Sequence, residues 1–337
     1  IDIVDGRFAT ITADAEPGTA TRLSGFTMPG MANAHSHAFH RALRSRTQAG
    51  RGTFWTWRDL MYRAAERLEP DSYRRLARAV FAEMALAGVS CVGEFHYLHH
   101  QLGGSQYADP NEMGLALLAA ADDVGIRITL LDTLYLYGGF GADGYSEPVG
   151  TQRRFSDGAA GAWAERMHRL PNGDTHRIGA AIHSVRAVDP RSMQLVADWA
   201  ATHQAPLHAH VSEQVAENEA CMAHHRSSPI DVLAAAGVLT DRFSAVHATH
   251  LSGHDIELLA AAASTVVMCP TTERDLGDGI GPTSRFAEAG IKMSLGSDSH
   301  AVIDLFEEAR AVELDERLRS NERGVHAGSD LLDMATI

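Results

Sequence analysis

The feature that most constrains this chain is an alternation. From Phe26 onward, short apolar runs alternate with stretches of helical periodicity, eight times over. The runs lie at 27–37, 89–97, 126–134, 177–185, 206–211, 243–249, 265–269 and 291–297. Between them apolar residues recur at intervals of three and four, as Tyr73, Leu76, Ala77, Val80 and Met84 do within 71–87. Further helices are expected at 54–67, 111–124, 160–169, 213–225, 229–236, 254–263 and 303–318, and Pro190 opens another at the position proline favours. No hairpin turn joins consecutive runs, so the strands must pair in parallel through helical crossovers. Eight such units predict an α/β fold, a (β/α)8 barrel of the TIM type, over residues 25–337. Residues 1–24 read instead as short strands and turns, with Asp5-Gly6 at one turn, and form part of a small β unit. The Gly- and Tyr-rich stretch 135–156 is long enough to be a functional loop.

Composition narrows the partners. The 337 residues carry 29 basic against 43 acidic side chains, a net charge of -14, which argues against a nucleic-acid partner or a basic membrane-binding face. No apolar run is long enough to cross a bilayer. The three cysteines, Cys91, Cys221 and Cys269, are odd in number and show no CxxC spacing, so reduced thiols and a cytoplasmic location are expected.

Barrel enzymes place their chemistry at the C-terminal ends of the strands, and there polar residues gather. The first run ends in His35-Ser36-His37. Alternate residues of a strand share a face, so both imidazoles can aim at one point. The second ends in Glu94, His96 and Tyr97, and the fourth in His183 and Arg186. The fifth carries His208 and His210 with Glu213 following, the sixth ends in His247 and His250, and the eighth in Ser297, Asp298, Ser299 and His300. A single histidine at a strand end is usually a hydrogen-bonded core or rim residue, and a lone Asp after Gly-Ser usually caps a turn. Their joint occurrence at one end of a barrel points to a metal site. Three histidines and a carboxylate suit Zn2+ or Fe2+ with room for a water, whose pKa such an ion lowers toward about 7. Glu213, close to His210, fits a general acid/base, with His247 and Asp298 beside the water. No GxSxG elbow supports serine chemistry.

With these residues in view, the chain resembles the mononuclear deaminase branch of the amidohydrolases. More narrowly it is similar to formimidoylglutamate deiminases of histidine degradation. The matching stretches are His-Ser-His-Ala-Phe at 35–39, Phe-Trp-Thr-Trp-Arg at 54–58, Glu-Phe-His-Tyr-Leu-His-His at 94–100, Ile-His-Ser-Val-Arg at 182–186, His-Ala-Thr-His at 247–250, Thr-Glu-Arg-Asp-Leu-Gly-Asp-Gly at 272–279 and Gly-Ser-Asp-Ser at 296–299. The resemblance implies one divalent ion, with Zn2+ expected, on His35, His37, His210 and Asp298. It implies Glu213 and His247 at the reactive water, and substrate contacts from Arg58, Tyr97, His183 and Arg186. The implied reaction converts N-formimino-L-glutamate and water to N-formyl-L-glutamate and ammonia, so the expected partner is a small dicarboxylate. A homodimer is expected by the same resemblance. Two arginines suit that substrate, because each can take a carboxylate in bidentate fashion. Binuclear relatives bridge two metals with a carboxylated lysine on the fourth strand. The only lysine here, Lys292, begins the eighth run, which favours one ion.

Two departures accompany the resemblance. His40 stands where many relatives have glutamine, although neutral histidine is also both donor and acceptor. In the family a small β-sandwich begun before the barrel is finished after it, and that closing segment is expected to lie beyond Ile337. Two other functions compete: a mononuclear deaminase of purine, pyrimidine or triazine rings, whose pocket would rely less on paired arginines, and a catalytically inactive barrel serving as a binding module.

Overall fold

The computed structural model describes residues 1–4, 7–48, 50–141 and 143–336. The expected Asp5-Gly6 turn lies outside the described residues. Strands β1 (Asp2–Val4) and β2 (Arg7–Thr10) pair antiparallel as an exposed hairpin. Eight strands then form one parallel sheet: β3 (Met31–Ser36), β4 (Val89–His96), β5 (Arg127–Leu134), β8 (His176–Ile182), β9 (Leu207–Val211), β10 (Phe243–His247), β11 (Thr265–Met268) and β12 (Lys292–Leu295). They neighbour one another in chain order, from β3 to β12.

Between β3 and β4 lie α1 (Phe54–Ala65) and α2 (Pro70–Leu86); α3 (Glu112–Val124) follows β4 and α4 (Ala160–Met167) precedes β8. Then come α5 (Pro190–His203), α6 (Val215–His225), α7 (Pro229–Ala235), α8 (Gly253–Ala261), α9 (Pro270–Leu276), α10 (Thr283–Glu288), α11 (Leu305–Ser320) and α12 (Gly328–Thr336). Helices α9, α10 and α12 were not expected, although Pro270 sits at the first turn of α9 as such a start requires. The long stretch after β5 holds an antiparallel hairpin, β6 (Gly139–Gly141) with β7 (Gly144–Ser146), an exception to the all-parallel expectation.

The ring closes at its first and last strands. Ser36 and Asp298 form a parallel bridge, in which Asp298 N donates to His35 O at 3.0 Å and His37 N donates to Asp298 O at 3.2 Å. The Asn33 side chain spans the same seam, accepting from Ser297 N at 3.0 Å and donating to Ser297 Oγ at 2.6 Å. Gly296 makes this approach possible: a Cβ there would lie 2.7 Å from His35 Cβ. Two strands, β10 and β12, stop two residues short of their expected ends, where the chain turns sharply. β10 ends at His247 and β12 at Leu295; at His247, Ala248 and Asp298 the backbone enters the left-handed region, with φ of 69°, 49° and 41°, and extended pairing does not run past them.

Large apolar side chains such as Tyr73, Phe81, Met84 and Phe243 are fully buried between helices and barrel. One polar network is buried with them. Arg166 on α4 grips Asp132 on β5 through both terminal nitrogens at 2.7 and 2.8 Å, and Asp157 through Nη2 at 2.8 Å and Nε at 3.0 Å. Trp163 donates to Asp132 at 3.1 Å, and His100 meets Asp157 at 3.1 Å. The cation here is shared by two carboxylates, so removing it strands both. Arg166→Met should therefore destabilise the protein by about 3–5 kcal/mol, read as a lower urea midpoint.

Candidate active site

Four side chains converge at the seam. His35 and His37 project from the end of β3, His210 from β9, and Asp298 from the loop after β12; one ligand atom from each lies within 4.8 Å of the others. All four are buried. His210 Nε2 is 3.1 Å from His35 Nε2 and 3.2 Å from His37 Nε2, and Asp298 Oδ1 is 3.3 and 3.4 Å from those two nitrogens.

The tautomers follow from the partners. His37 Nδ1 donates to Phe95 O at 2.8 Å and His210 Nδ1 donates to His183 O at 2.9 Å, since a carbonyl can only accept. Burial pushes the pKa of both rings well below its ordinary value, so neither carries a second proton at neutrality. Their Nε2 atoms therefore face one another with lone pairs at 3.2 Å, an arrangement that repels unless a cation lies between. Burial lowers His35 too. Burial opposes ionisation of Asp298, but its hydrogen bond with His35 and the positive charge of His247 outweigh this and hold it well below the usual carboxylate range. Three neutral imidazoles and one carboxylate fit a divalent ion of the zinc or iron class.

A second group stands beside them. His247 Nε2 lies 3.7 Å from Glu213 Oε1 and 3.8 Å from Asp298 Oδ2, while its Nδ1 is 3.3 Å from Glu273 Oε1. Burial disfavours the imidazolium, but Glu213, Glu273 and Asp298 together raise its pKa to about 10. Burial lifts Glu213 to about 7, against the pull of His247 and Arg186. Asp278, which accepts from Gln214, is lifted by burial and then by Glu213 to about 9. Positive φ at Ser212, His247 and Asp298 shows backbone strain gathered around these groups.

From here a cavity of about 330 Å3 opens outward, large enough for a small metabolite. On α1, residues Phe54, Trp57, Met61 and Ala65 turn inward, and the adjoining stripe Trp55, Arg58 and Tyr62 faces the cavity. Arg58 Cζ sits 4.5 Å over the Trp55 ring and 5.5 Å over Tyr62, which holds the guanidinium in place. Arg154, buried and outside the cavity, donates to the carbonyls of Ala65, Leu68 and His100 and so fixes the end of α1. Tyr97 OH and His40 Nε2 are 2.9 Å apart, and burial lowers His40 to about 3. His183 packs edge-on against Tyr135 with centroids 4.8 Å apart. Arg186 faces the cavity from the loop after β8, and the β6–β7 hairpin brings Phe140 to its wall.

The structure thus brings His37, His40, Arg58, Tyr97, His183, Arg186, His210, Glu213, His247 and Asp298 to one cavity, with His35 buried directly behind. Other strand-end residues lie elsewhere. Glu94 turns outward and accepts from Ser36 Oγ and from Ala38 N, at 2.5 and 2.6 Å. His96 faces Tyr73 of α2. His96, His99 and Asp132 also approach within 4.8 Å of one another, but Arg166 already occupies both oxygens of Asp132 and excludes a cation. His250 is bound to Asp278 O at 2.7 Å, and His300 to Ser297 Oγ at 2.9 Å. Glu217, Glu273 and Asp278 carry no sequence signal of their own beyond the helical spacing of Glu217 from Glu213 and the family-like stretch that holds the other two.

Residues 26–337 match the amidohydrolase family model. The chain belongs to the amidohydrolase family. It is 40% identical over 326 residues to the formimidoylglutamate deiminase of Pseudomonas aeruginosa, covering 95% of this chain and 71% of that protein. The 8-oxoguanine deaminase of the same organism is 27% identical over 297 residues, covering 87% of this chain and 64% of that one. Among solved structures, an amidohydrolase from Brucella melitensis superimposes with a TM-score of 0.83 at 35% identity, covering 91% of this chain and 70% of that one. A zinc-complexed atrazine chlorohydrolase from Arthrobacter aurescens shares the fold, with a TM-score of 0.77 at 24% identity over 91% of this chain and 69% of that one. An amidohydrolase barrel with a His3Asp cluster is a metal-site scaffold, and its loading can be measured. Chelation should lower the melting temperature, and added zinc should restore it, because the ion binds only the folded state. His37→Ala should reduce metal content from about one ion per chain to near none by elemental analysis.

Proposed function

We propose that this protein hydrolyses N-formimino-L-glutamate to N-formyl-L-glutamate and ammonia, with zinc held by His35, His37, His210 and Asp298. The observation that carries this reading is a cavity holding both a buried acid/base carboxylate, Glu213, and two guanidinium groups, Arg58 and Arg186. The 40% identical deiminase supports the same substrate. The net charge of -14 fits a small-molecule partner, with local positive charge supplied by the arginines. Histidine degradation in the cytoplasm is the setting this reading carries.

Held by His35, His37, His210 and Asp298, zinc would supply an activated water at neutral pH. The protein does the rest. Glu213, with its pKa near neutrality, takes one proton from the attacking water as C–O forms and delivers it to the imino nitrogen; it then passes the hydroxyl proton of the adduct to the same nitrogen as C=O forms and C–N breaks, so both water protons leave with the ammonia. Glu273 fixes the ring of His247, whose Nε2 points to the same place as a cationic donor. Arg58 and Arg186 take the substrate carboxylates, and Tyr97, His40 and His183 line the path between.

Ammonia release from N-formimino-L-glutamate by the zinc-loaded protein, with guanine and cytosine in parallel, is the direct test. Release from a ring substrate alone would replace this reading with a ring deaminase. Glu213→Gln should keep its metal and lose about 10^2- to 10^4-fold in kcat. Arg58→Ala and Arg186→Ala should act mainly on KM.

The pH profile has a defined sign. Glu213 must be ionised to accept a proton, so kcat/KM should fall as pH drops through its pKa. That value is about 7 from the protein's own groups, and a nearby cation lowers it further. An acid limb at or below about 7 is therefore expected, and a limb well above it would remove Glu213 from this role.

A further inference from the structure

Glu217, in the first turn of α6 and four residues after Glu213, lines the same cavity and is 1% exposed. Neither of its carboxylate oxygens closes a hydrogen bond among the described residues. Burial raises its pKa, Arg186 opposes this, and the N–H groups of Glu213 and Ser212 approach it. The nearest cation is Arg186, whose Nε is 3.8 Å from Glu217 Oε2 and is itself buried without a partner among the described residues. A desolvated carboxylate and a desolvated guanidinium edge thus face each other just beyond hydrogen-bond contact. Arg186 Cζ also lies 5.8 Å from the Phe54 ring, which limits where the guanidinium can swing.

A guanidinium offers its donors along two edges. If one edge is held through Nε, the remaining terminal donors are left to grip a carboxylate in fixed orientation. We infer that Glu217 is a positioning residue: it holds the Nε edge of Arg186, and so aims the guanidinium at a carboxylate of the ligand and sets the preference for dicarboxylates. This rests on the dicarboxylate reading of the cavity. The role asks nothing of Glu217 in proton transfer, which Glu213 already serves. It explains why an acidic residue lines a pocket that must receive an anion, where charge alone would forbid it.

The test is a double-mutant cycle on the full, zinc-loaded chain, read by KM and kcat for N-formimino-L-glutamate and by calorimetric binding of glutarate. Glu217→Gln should raise KM and the glutarate Kd about tenfold, the loss of one charge-assisted hydrogen bond, with kcat within about twofold. In an Arg186→Met background the same substitution should change neither further, because the residues act as one unit. Glu217→Asp, which keeps the charge on a shorter stem, should recover part of the loss, and it is also the variant to read if Glu217→Gln does not fold. A general packing role would lower kcat and melting temperature together, and that result would overturn the inference. So would an unchanged or lowered KM in Glu217→Gln, or an equal effect with and without Arg186. If the wild type binds glutarate but releases no ammonia, the proposed reaction fails while the cycle on glutarate still decides the role of Glu217. If it binds neither dicarboxylate, both fall.

Discussion

The structure depends on lone pairs brought face to face. His37 and His210 each give their Nδ1 proton to a backbone carbonyl, and what is left on each ring is an unshared pair pointing inward. Nothing in an apolar core rewards that arrangement. Dispersion is indifferent to it, electrostatics oppose it, and burial forbids relief by protonation. Only a cation makes it favourable, and the surrounding architecture is the means by which the chain tolerates it. The carbonyls of Phe95 and His183 fix the rings, and the shortened ends of β10 and β12 leave the open rim into which the cavity fits.

The same few residues also complete the barrel. Asp298 closes the ring with its backbone, bonded to both His35 and His37, while its side chain completes the four-residue cluster. Closure and site assembly are therefore one event. The strain at Asp298 fits this double duty: its left-handed backbone is what lets one residue bridge the seam and still turn its carboxylate inward. Gly296 belongs to the same solution, since any side chain there would push the first strand away. Around this rigid ring, variable pieces set chemistry: α1 brings Arg58, the loop after β8 brings Arg186, and the β6–β7 hairpin supplies an aromatic wall.

Much of this is legible in the amino-acid sequence. The switch between helical and strand periodicity marks the eight barrel strands, because each strand is buried on both faces and each helix on one. The parity of His35 and His37 is legible because a strand repeats every two residues. Direction is not. His96, His99 and His100 stand in the same kind of position as Tyr97, yet they turn away from the cavity toward α2 and the Arg166 network, and parity alone does not say which face of β4 is inside. Glu217, Glu273 and Asp278 are hidden for a different reason. In a chain with 43 acidic residues, a carboxylate is informative only once its burial is known. The hairpin after β5 escapes because its strands are only three residues long, below the length at which periodicity registers.

The seam has a consequence for the order of events during synthesis. Asn33 and Ser297, which meet across it, are separated by 264 positions in the chain. A nascent chain exposes His35 and His37 early and His210 with the fifth barrel strand, but until the segment after the last strand emerges the cluster lacks Asp298 and the seam is open. A growing polypeptide that captured an ion at that stage would hold it weakly and with the wrong company. The complete four-residue cluster thus exists only once the final barrel strand has docked, so tight ion binding and ring closure share their last step.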